Sequence, residues 1–198
     1  MKMMGKYTCG WSSTDPIYIE YHDTEWGVPL HDDRKIFEFL TLESFQAGLS
    51  WLTILRKRGE FRKAFEGFDP EVVSQYGKAE VSRLLRDKGI VRNRLKIEAA
   101  VRNASAFVVV RDEFGSMDKY MWQFVGGRPK KNAWKSLNQI PAVTNESVML
   151  SSDLKKRGFS FVGPTVCYSH MQATGMVNDH LVRCFRHDEC SELSAVGH

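Results

Sequence analysis

The sequence predicts an all-α protein, and three features of its 198 residues indicate this fold class. Apolar residues recur at helical spacing in long segments, as Ile36, Phe37 and Leu40 do on one face. Capping residues precede several of these segments, and glycine ends several of them. The run FVVV at 107–110 could form a strand instead, but no turn signal precedes it. We therefore expect helices joined by loops, with no internal repeat.

The predicted helices follow one another along the whole chain. Segment 32–48 begins with an Asp cap, and Ser50 caps a short helix that stops at Gly59. Asp69 followed by proline marks another start, because proline is favoured at the first helical position. Residues 126–143, which contain two glycines and two prolines, form the main predicted loop. The other predicted helices are one ending at Gly89, 92–115, 117–125, 146–158, and segments after Pro164 and after Asn178.

Length and composition favour a globular protein with a true core. The chain is long enough for one domain or two small lobes, and its 42% hydrophobic and 26% charged residues are ordinary. No apolar run is long enough to span a bilayer, and the start MKMMGKYTCGW lacks the apolar stretch of a secretory signal. We therefore expect a cytoplasmic protein with no membrane partner, whose cysteines stay reduced.

The charge of the chain favours a polyanionic partner only weakly. The formal net charge is +4, which many proteins without a nucleic-acid role share. Lys and Arg cluster locally at 56–63 and 154–158, and such clusters are the stronger indication of nucleic-acid binding.

Two pairs of potential metal ligands lie at opposite ends of the chain. Cys9 and His22 form the first pair, and His180 and Cys184 form the second. Four residues separate His180 from Cys184, so the two would share one face of a helix. A single zinc ion bound by all four would be structural, because a closed shell leaves no position for water.

Other interpretations of these residues remain open. Free cysteine is commonly a small buried apolar residue, and a lone histidine is more often hydrogen-bonded in the core than a ligand. A different shell could draw on His187 and Cys190. Cys167 lies in an apolar run and is predicted to belong to the core.

The segment LKKRGFSFVGPTVCYSHMQATG has the pattern of a helix–hairpin–helix. One helix ends at Gly158, a short turn follows, and a second helix begins after Gly163, near Thr165. The glycines permit a tight turn and close approach to a partner, and the N–H groups at the new helix start suit a phosphate. The alternative is an ordinary helix–turn–helix connection packed by its own aromatic residues.

The densest cluster of candidate site residues lies within residues 9–51. Three of the five tryptophans fall here, together with two tyrosines and Glu43, which lies between apolar residues of a predicted helix. Such aromatics most often form core, yet Tyr and Trp each carry a polar group that a core does not need. Aromatic faces and one carboxylate suit an extruded purine, and a cationic base would gain further. The aromatic residues are Trp11, Tyr18, Tyr21, Trp26 and Trp51.

These blocks resemble the DNA-3-methyladenine glycosylase I family, from about Cys9 to Cys184. The similar blocks are CGW, DPIYIEYHDTEWGVP, LESFQAGLSW, LKKRGFSFVGPTVCYSHMQATG and VNDHLVRC. The resemblance implies a helix–hairpin–helix glycosylase fold over residues 1–198, as a single domain with two helical lobes. We expect a monomer, and the order of the tail 185–198 is left open.

The resemblance also implies which residues bind which ligand. One structural Zn²⁺ per chain would bind Cys9, His22, His180 and Cys184. Glu43 and Tyr21 would hydrogen-bond the methylated adenine, and Trp11 and Trp51 would stack on it. Tyr18 is added as a further substrate-binding residue, and Glu43 is also the catalytic candidate. Gly48 and Leu49 would enter the DNA where the base has left, while Gly158, Gly163 and Thr165 would bind its backbone.

The predicted reaction is hydrolysis of the N-glycosidic bond in double-stranded alkylated DNA. The products would be free 3-methyladenine and an abasic site. Asn178 stands where many superfamily members carry a catalytic aspartate, and Pro164 and Thr165 stand where lyase-active relatives carry a lysine, so we expect no strand cleavage. Asp179 either assists the reaction or caps a helix beside the zinc ligand.

Two other classes of function remain open. A silent DNA-binding module would keep the hairpin and the basic clusters and use the aromatic residues as core. An enzyme of the same fold could instead act on 3-methylguanine or 7-methylguanine, although a carboxylate acceptor suits the amino group of adenine better than O6 of guanine.

Overall fold

The structure, a computed structural model, describes residues 6–12 and 15–193 and is mostly helical. None of the helices in these ranges is long and apolar enough to cross a membrane. The α-helices are α1 Pro16–Thr24, α2 Asp33–Gln46, α3 Trp51–Ala64, α4 Pro70–Ser74, α5 Lys78–Arg86, α6 Arg94–Phe114, α7 Met117–Trp122, α8 Asn145–Lys156, α9 Pro164–Ala173 and α10 Phe185–Leu193. The strands β1 Lys130–Lys131 and β2 Val177–Asn178 pair in parallel.

Side-chain caps fix helix starts where the sequence predicts them. Asp32 accepts the N–H of Lys35 at 2.9 Å before α2, and Ser50 accepts the N–H of Thr53 at 3.2 Å before α3. A cap of this kind stabilises a helix by about 1 kcal/mol. The predicted starts of both helices are confirmed, and the FVVV run at 107–110 is helical, within α6.

Helix α2 supports the candidate site from the main hydrophobic core. Its residues Phe37, Leu42 and Phe45 are fully buried there. A second, smaller cluster brings the two ends of the chain together, and Trp51 packs against both clusters. Members of the smaller cluster are Cys9, Tyr21, Trp26, Phe39, Leu55, Ala173, Leu181 and Cys184. Glu43 of α2 is therefore carried on a rigid, buried element.

The turn between α8 and α9 is held by side chains of other helices. The Asn103 amide of α6 donates to the Ser160 carbonyl at 2.9 Å, and its oxygen accepts the Ser160 N–H at 2.8 Å. Ser44 of α2 donates to the carbonyl of Phe161 at 3.2 Å. Phe159 is buried, whereas Phe161 is 38% exposed with a φ of 57°. These bonds fix the turn relative to α2.

Two predicted helix ends are wrong. Helix α3 continues through Gly59, because a glycine inside a helix costs only about 1 kcal/mol and Phe61 on the next turn is fully buried. Helix α5 ends at Arg86 rather than at Gly89. There Asp87 accepts the N–H of Gly89 at 2.7 Å and forms a turn that competes with the helix.

The helix predicted after Asn178 is present but begins only at Phe185. Asn178 ends β2, and the chain then turns through residues 180–184 before α10 begins. The partner strand β1 lies inside the predicted loop 126–143. Two-residue strands have no periodicity by which a sequence could reveal them.

The C-terminal segment is helical over residues 185–193, which form α10. Arg186, His187 and Cys190 of this helix are buried. Residues 194–198 of the predicted tail lie outside the described residues.

Gly175 allows two backbone segments to touch. Its φ is +69°, and a Cβ at this position would lie 2.4 Å from the N of Pro29 and the C of Val28. We expect Gly175→Ala to lower the free energy of unfolding by about 3 kcal/mol, because overlap adds to backbone strain. The matched control is Gly126→Ala, with a φ of +73° and no described atom within 4 Å of the new Cβ. Urea denaturation measures both, and equal losses would contradict the argument.

Candidate functional site

A cavity of about 230 Å³ lies between α1, α2, α3 and α9. It combines aromatic rings from three parts of the chain with a single carboxylate from α2. All five residues predicted to bind a substrate line it: Trp11, Tyr18, Tyr21, Glu43 and Trp51. The fold thus brings together side chains that the sequence separates by up to 40 positions.

Glu43 has one oxygen bound and one free of protein partners. Its side chain is 2% exposed, and Oε2 lies 2.9 Å from Nδ1 of His170. Oε1 is buried and makes no hydrogen bond to any residue that the structure describes. Burial raises the pKa of Glu43, and the contact with His170 opposes that shift. An unpartnered buried polar atom costs about 1–3 kcal/mol, so Oε1 is poised to accept a hydrogen bond from a ligand.

The aromatic wall supplies flat faces and polar hydrogens. The Tyr21 ring lies 5.5 Å from the Trp51 ring and 6.4 Å from the Trp11 ring, centroid to centroid. Burial, followed by the charge of Glu43, raises the pKa of Tyr21 well above its usual value, so its hydroxyl remains a donor. Nε1 of Trp51 is buried and donates to no residue in the described ranges. The wall therefore suits a flat heterocycle with hydrogen-bonding edges.

A second cavity of about 200 Å³ adjoins the first. The two share Glu43, Gln46 and Ser169 as common wall residues. The Glu43 side chain therefore borders both cavities.

The predicted DNA-binding residues separate into two groups. Gly48, Leu49 and Thr165 line the second cavity together. Leu49 is 41% exposed at the tip of its turn, and Gly48 has a φ of +81° that favours glycine. Gly158 and Gly163 line neither cavity; they lie near the two ends of the α8–α9 turn.

A buried lysine holds the turn that carries Leu49. Lys96 of α6 donates from Nζ to the carbonyls of Phe45 at 2.8 Å and Ala47 at 2.5 Å. Its charge stabilises the C-terminal end of α2, where unpaired carbonyls concentrate negative charge. Burial lowers the pKa of Lys96. The sequence analysis missed this residue, because a lysine at helical spacing on α6 is indistinguishable from a surface residue.

The four predicted metal ligands lie together, and all are buried. Their ligand atoms are within 4.8 Å of one another. Sγ of Cys184 lies 3.6 Å from Nε2 of His22 and 3.5 Å from Nδ1 of His180, and Sγ of Cys9 lies 3.5 Å from that same Nδ1. Tetrahedral zinc with ordinary bond lengths would place S and N ligands about 3.5 Å apart. The residues present therefore fit a tetrahedral metal ion.

In both histidines the ring nitrogen that faces away from the cluster already has a hydrogen-bond partner. Nδ1 of His22 lies 2.7 Å from Asp23, and Nε2 of His180 lies 2.9 Å from the carbonyl of Trp26. Such contacts fix the tautomer that leaves the other nitrogen free for a metal. Hydrogen bonds from Cys9 first, and then from the histidines, lower the pKa of Cys184, which favours the thiolate that a metal binds.

The prediction that His180 and Cys184 share a helix face is wrong. Both lie in the turn before α10, which brings them to one side by a different path. The alternative shell is absent from the described residues, since Nε2 of His187 lies 2.9 Å from the carbonyl of Asn132 instead. Cys167 is fully buried in the core, as predicted.

Comparison with known proteins identifies the family. A sequence profile described as Methyladenine glycosylase matches residues 11–187. The chain belongs to this family.

Relatives of known name or structure match most of this chain. DNA-3-methyladenine glycosylase 1 of Escherichia coli (strain K12) is 49% identical over 89% of this chain and 94% of its own. A crystal structure of 3-methyladenine DNA glycosylase I, 49% identical, superposes with a TM-score of 0.88 over 90% of this chain and 98% of its own. A Staphylococcus aureus structure described as the basis of 3-methyladenine recognition is 39% identical, with a TM-score of 0.88 over 90% and 95%.

The sequence analysis missed several residues that line the first cavity. Gln46 lies three positions after Glu43, and Gln172 lies three positions after Ser169, so each pair shares a helix face. That spacing was the available signal. Ile140 comes from the long loop, for which the sequence gives no such signal. Trp26 stood out only as one more aromatic residue.

Asp179 is a buried hub and does not cap a helix. It is fully buried and accepts hydrogen bonds from four neutral donors. Those donors are Tyr168 at 2.5 Å, Asn132 at 2.6 Å, and Trp134 and Gln172 at 2.8 Å each. Because Gln172 lines the first cavity, Asp179 ties the long loop and the cavity wall together.

We expect Asp179→Asn to lower the free energy of unfolding by about 3 kcal/mol. An amide presents its own donors to a ring of donors, which leaves buried groups unpaired. Asp112→Asn is the control, because Asp112 is exposed and its ion pair with Arg111 contributes little. Guanidinium denaturation measures both, and equal stability of the Asp179 variant and the wild type would contradict the hub.

Proposed function

We propose that this chain is a DNA glycosylase that hydrolyses the N-glycosidic bond of 3-methyladenine in alkylated double-stranded DNA. The products are the free base and an abasic site. One observation carries the proposal: Oε1 of Glu43 is a buried acceptor without a protein partner in an aromatic cavity. The family assignment and the names of the relatives support the same reaction.

Glu43 and the aromatic wall would recognise the extruded base. Oε1 of Glu43 accepts hydrogen bonds from the base, Tyr21 adds a hydrogen bond, and Trp11 and Trp51 stack on its faces. The cavity of about 230 Å³ is smaller than the range of roughly 300 Å³ and above typical of drug-sized ligands, which fits a single base. A cationic base gains from the ring faces as well, with Tyr18 completing the wall.

The chemistry needs little proton transfer. Methylation at N3 makes adenine a cation, so it leaves as a neutral molecule. The developing positive charge on the sugar then needs electrostatic stabilisation, and Glu43 lies in the wall that the two cavities share. Glu43 therefore serves recognition first and electrostatic catalysis second.

DNA would bind across the second cavity. Leu49, exposed on the turn that Lys96 holds, enters the stack where the base has left. Helices α8 and α9 act as a helix–hairpin–helix, with Gly158 and Gly163 allowing close approach. The free N–H groups near Thr165, at the start of α9, bind a backbone phosphate.

The enzyme is proposed to be monofunctional. A lyase needs an amine near the sugar carbon, and among the described residues neither cavity is lined by a lysine. Lys96 donates to two carbonyls instead. Pro164 and Thr165 follow the hairpin glycine.

Zinc is proposed as a structural cofactor, one ion per chain. Cys9, His22, His180 and Cys184 would hold it as a closed Cys2His2 shell. When bound, the ion would cross-link the two ends of the chain. It would not activate water, because four protein ligands leave no open position. Two cavity residues lie near ligands in the sequence and depend on that cross-link: Trp11 lies two positions after Cys9, and Tyr21 directly precedes His22.

The deciding experiment is chromatography of bases released from methylated duplex DNA by the purified protein. We expect release of 3-methyladenine above that of 3-methylguanine and 7-methylguanine, because the Glu43 acceptor opposes O6 of guanine. Gel electrophoresis should detect strand breaks only after alkali treatment. Preferred release of a methylated guanine would support the other enzyme, and binding of DNA without release would support the silent module.

A further inference from the structure

The carboxyl group of Glu43 lies in a poor environment for a negative charge. Its side chain is 2% exposed, and among the described residues its hydrogen bonding is limited to His170. No described Arg or Lys pairs with it. An isolated buried carboxylate normally takes up a proton instead of remaining ionised. A protonated Glu43 would lose the charge that favours a cationic base.

His170 is equally buried, and one of its two ring nitrogens is hydrogen-bonded to Glu43. It lies on α9, 1% exposed, with Nδ1 at 2.9 Å from Oε2 of Glu43. Its Nε2 is buried and makes no hydrogen bond within residues 6–12 and 15–193. A proton on Nε2 would be buried without an acceptor, so the geometry favours the tautomer whose proton is on Nδ1, facing Oε2 of Glu43.

We propose that His170 is a positioning residue that donates Nδ1–H to Oε2 of Glu43, keeps this carboxylate ionised, and leaves Oε1 for the base. This inference rests on the proposed function and names a group on which that function depends. His170 does not line the cavity and acts entirely through Glu43.

The other groups that face Glu43 cannot replace His170. Tyr21 of α1 and Cys167 of α9 both interact with its charge. Burial first, and then Glu43, raises the pKa of Tyr21 well above its usual value and that of Cys167 to about 12, so both are neutral near pH 7. Loss of the donor to an ionised acid raises the acid's pKa further. Ionisation of Glu43 would then require a higher pH.

Two variants separate the hydrogen bond from the volume of the side chain. His170→Leu fills the space without a donor. His170→Asn places an amide N–H where Nδ1 stands, because both atoms are attached to Cγ. If the leucine variant does not fold, the asparagine variant and His170→Gln still test whether a donor at that position is required.

The first readout is the ionisation of Glu43 itself. Carbon-13 NMR of glutamate-labelled protein follows the carboxyl signal that Glu43→Gln removes. We expect His170→Leu to move its midpoint up by about one pH unit or more, and His170→Asn to keep it near the wild-type value. An unchanged midpoint in the leucine variant would overturn the proposal.

The second readout is single-turnover release of 3-methyladenine across pH. We expect His170→Leu to be at least about tenfold slower at pH 7, to recover as pH rises, and to cause no further loss in the Glu43→Gln background. An additive loss, or a pH-independent loss, would indicate a merely structural role and overturn the proposal. Should the wild type release no base, the proposed function fails, while the NMR titration still decides the role of His170.

Discussion

Glu43→Gln is expected to slow the release of 3-methyladenine by about 10²–10³-fold, the loss typical when one preorganised electrostatic group is removed. Glutamine keeps the shape and one acceptor but removes the negative charge. In the proposed reaction the bound base is a cation and the transition state develops positive charge on the sugar, so the charge of Glu43 should matter in both states. Single-turnover assays with methylated duplex DNA give the rate, and Glu98→Gln, on the exposed face of α6, is the matched control.

In Glu43→Gln, the thermal stability should not fall together with the rate of base release. Burial raises the pKa of Glu43, so its ionised form destabilises the fold as pH rises through the folded pKa. Removal of the charge should therefore leave the midpoint of thermal unfolding unchanged or higher at pH 7. A variant that is active at the wild-type rate would exclude the electrostatic role. A variant that is inactive because it unfolds would show a lower midpoint, which separates the two cases.

Patterns within single helices could be predicted from the sequence. The caps Asp32 and Ser50 and the Gly115 terminator specify α2, α3 and α6, because capping is a local interaction between neighbours along the chain. The sequence predicts that α3 ends at Gly59, but the helix continues. Burial of Phe61 is a tertiary effect, and it outweighs the local cost of glycine in a helix.

The candidate cavity was predictable in composition but not in its supports. Tyr21, Glu43 and Trp51 stand out as polar-tipped aromatics and a carboxylate among apolar residues. His170 and Asp179 look like ordinary helix or capping residues in the sequence. Folding brings His170 to Glu43, 127 positions away along the chain, and Asp179 to the long loop. Contacts at such separation leave no trace in a single sequence.

Loss of the proposed zinc ion is expected to have the largest effect on stability. Cys184→Ala removes one ligand of the four-residue cluster and one of the links between the chain ends. Apparent binding free energies of structural zinc reach about 10–16 kcal/mol in small domains. Even a third of that, about 3–5 kcal/mol, lowers the thermal midpoint by about 7–20 °C, at about 2–4 °C per kcal/mol for a chain of this size.

The cavity should lose its order together with the metal. The His22 ring lies 5.2 Å from the Trp11 ring, and His180 is bound to the carbonyl of Trp26. Both tryptophans line the first cavity, so a displaced ligand displaces the wall that holds the base. Base release should therefore fall even below the unfolding midpoint, and a strong chelator should reproduce the effect in the wild type.

Cys167→Ala distinguishes loss of the metal from loss of a buried cysteine. Cys167 is fully buried but lies outside the cluster, so this variant should keep one zinc per chain and lose only about 1 kcal/mol for the small cavity it leaves. Zinc content and calorimetry are measured on both variants. Equal midpoints for the two, or a wild type that purifies folded and active with no bound metal, would remove the structural role of the site.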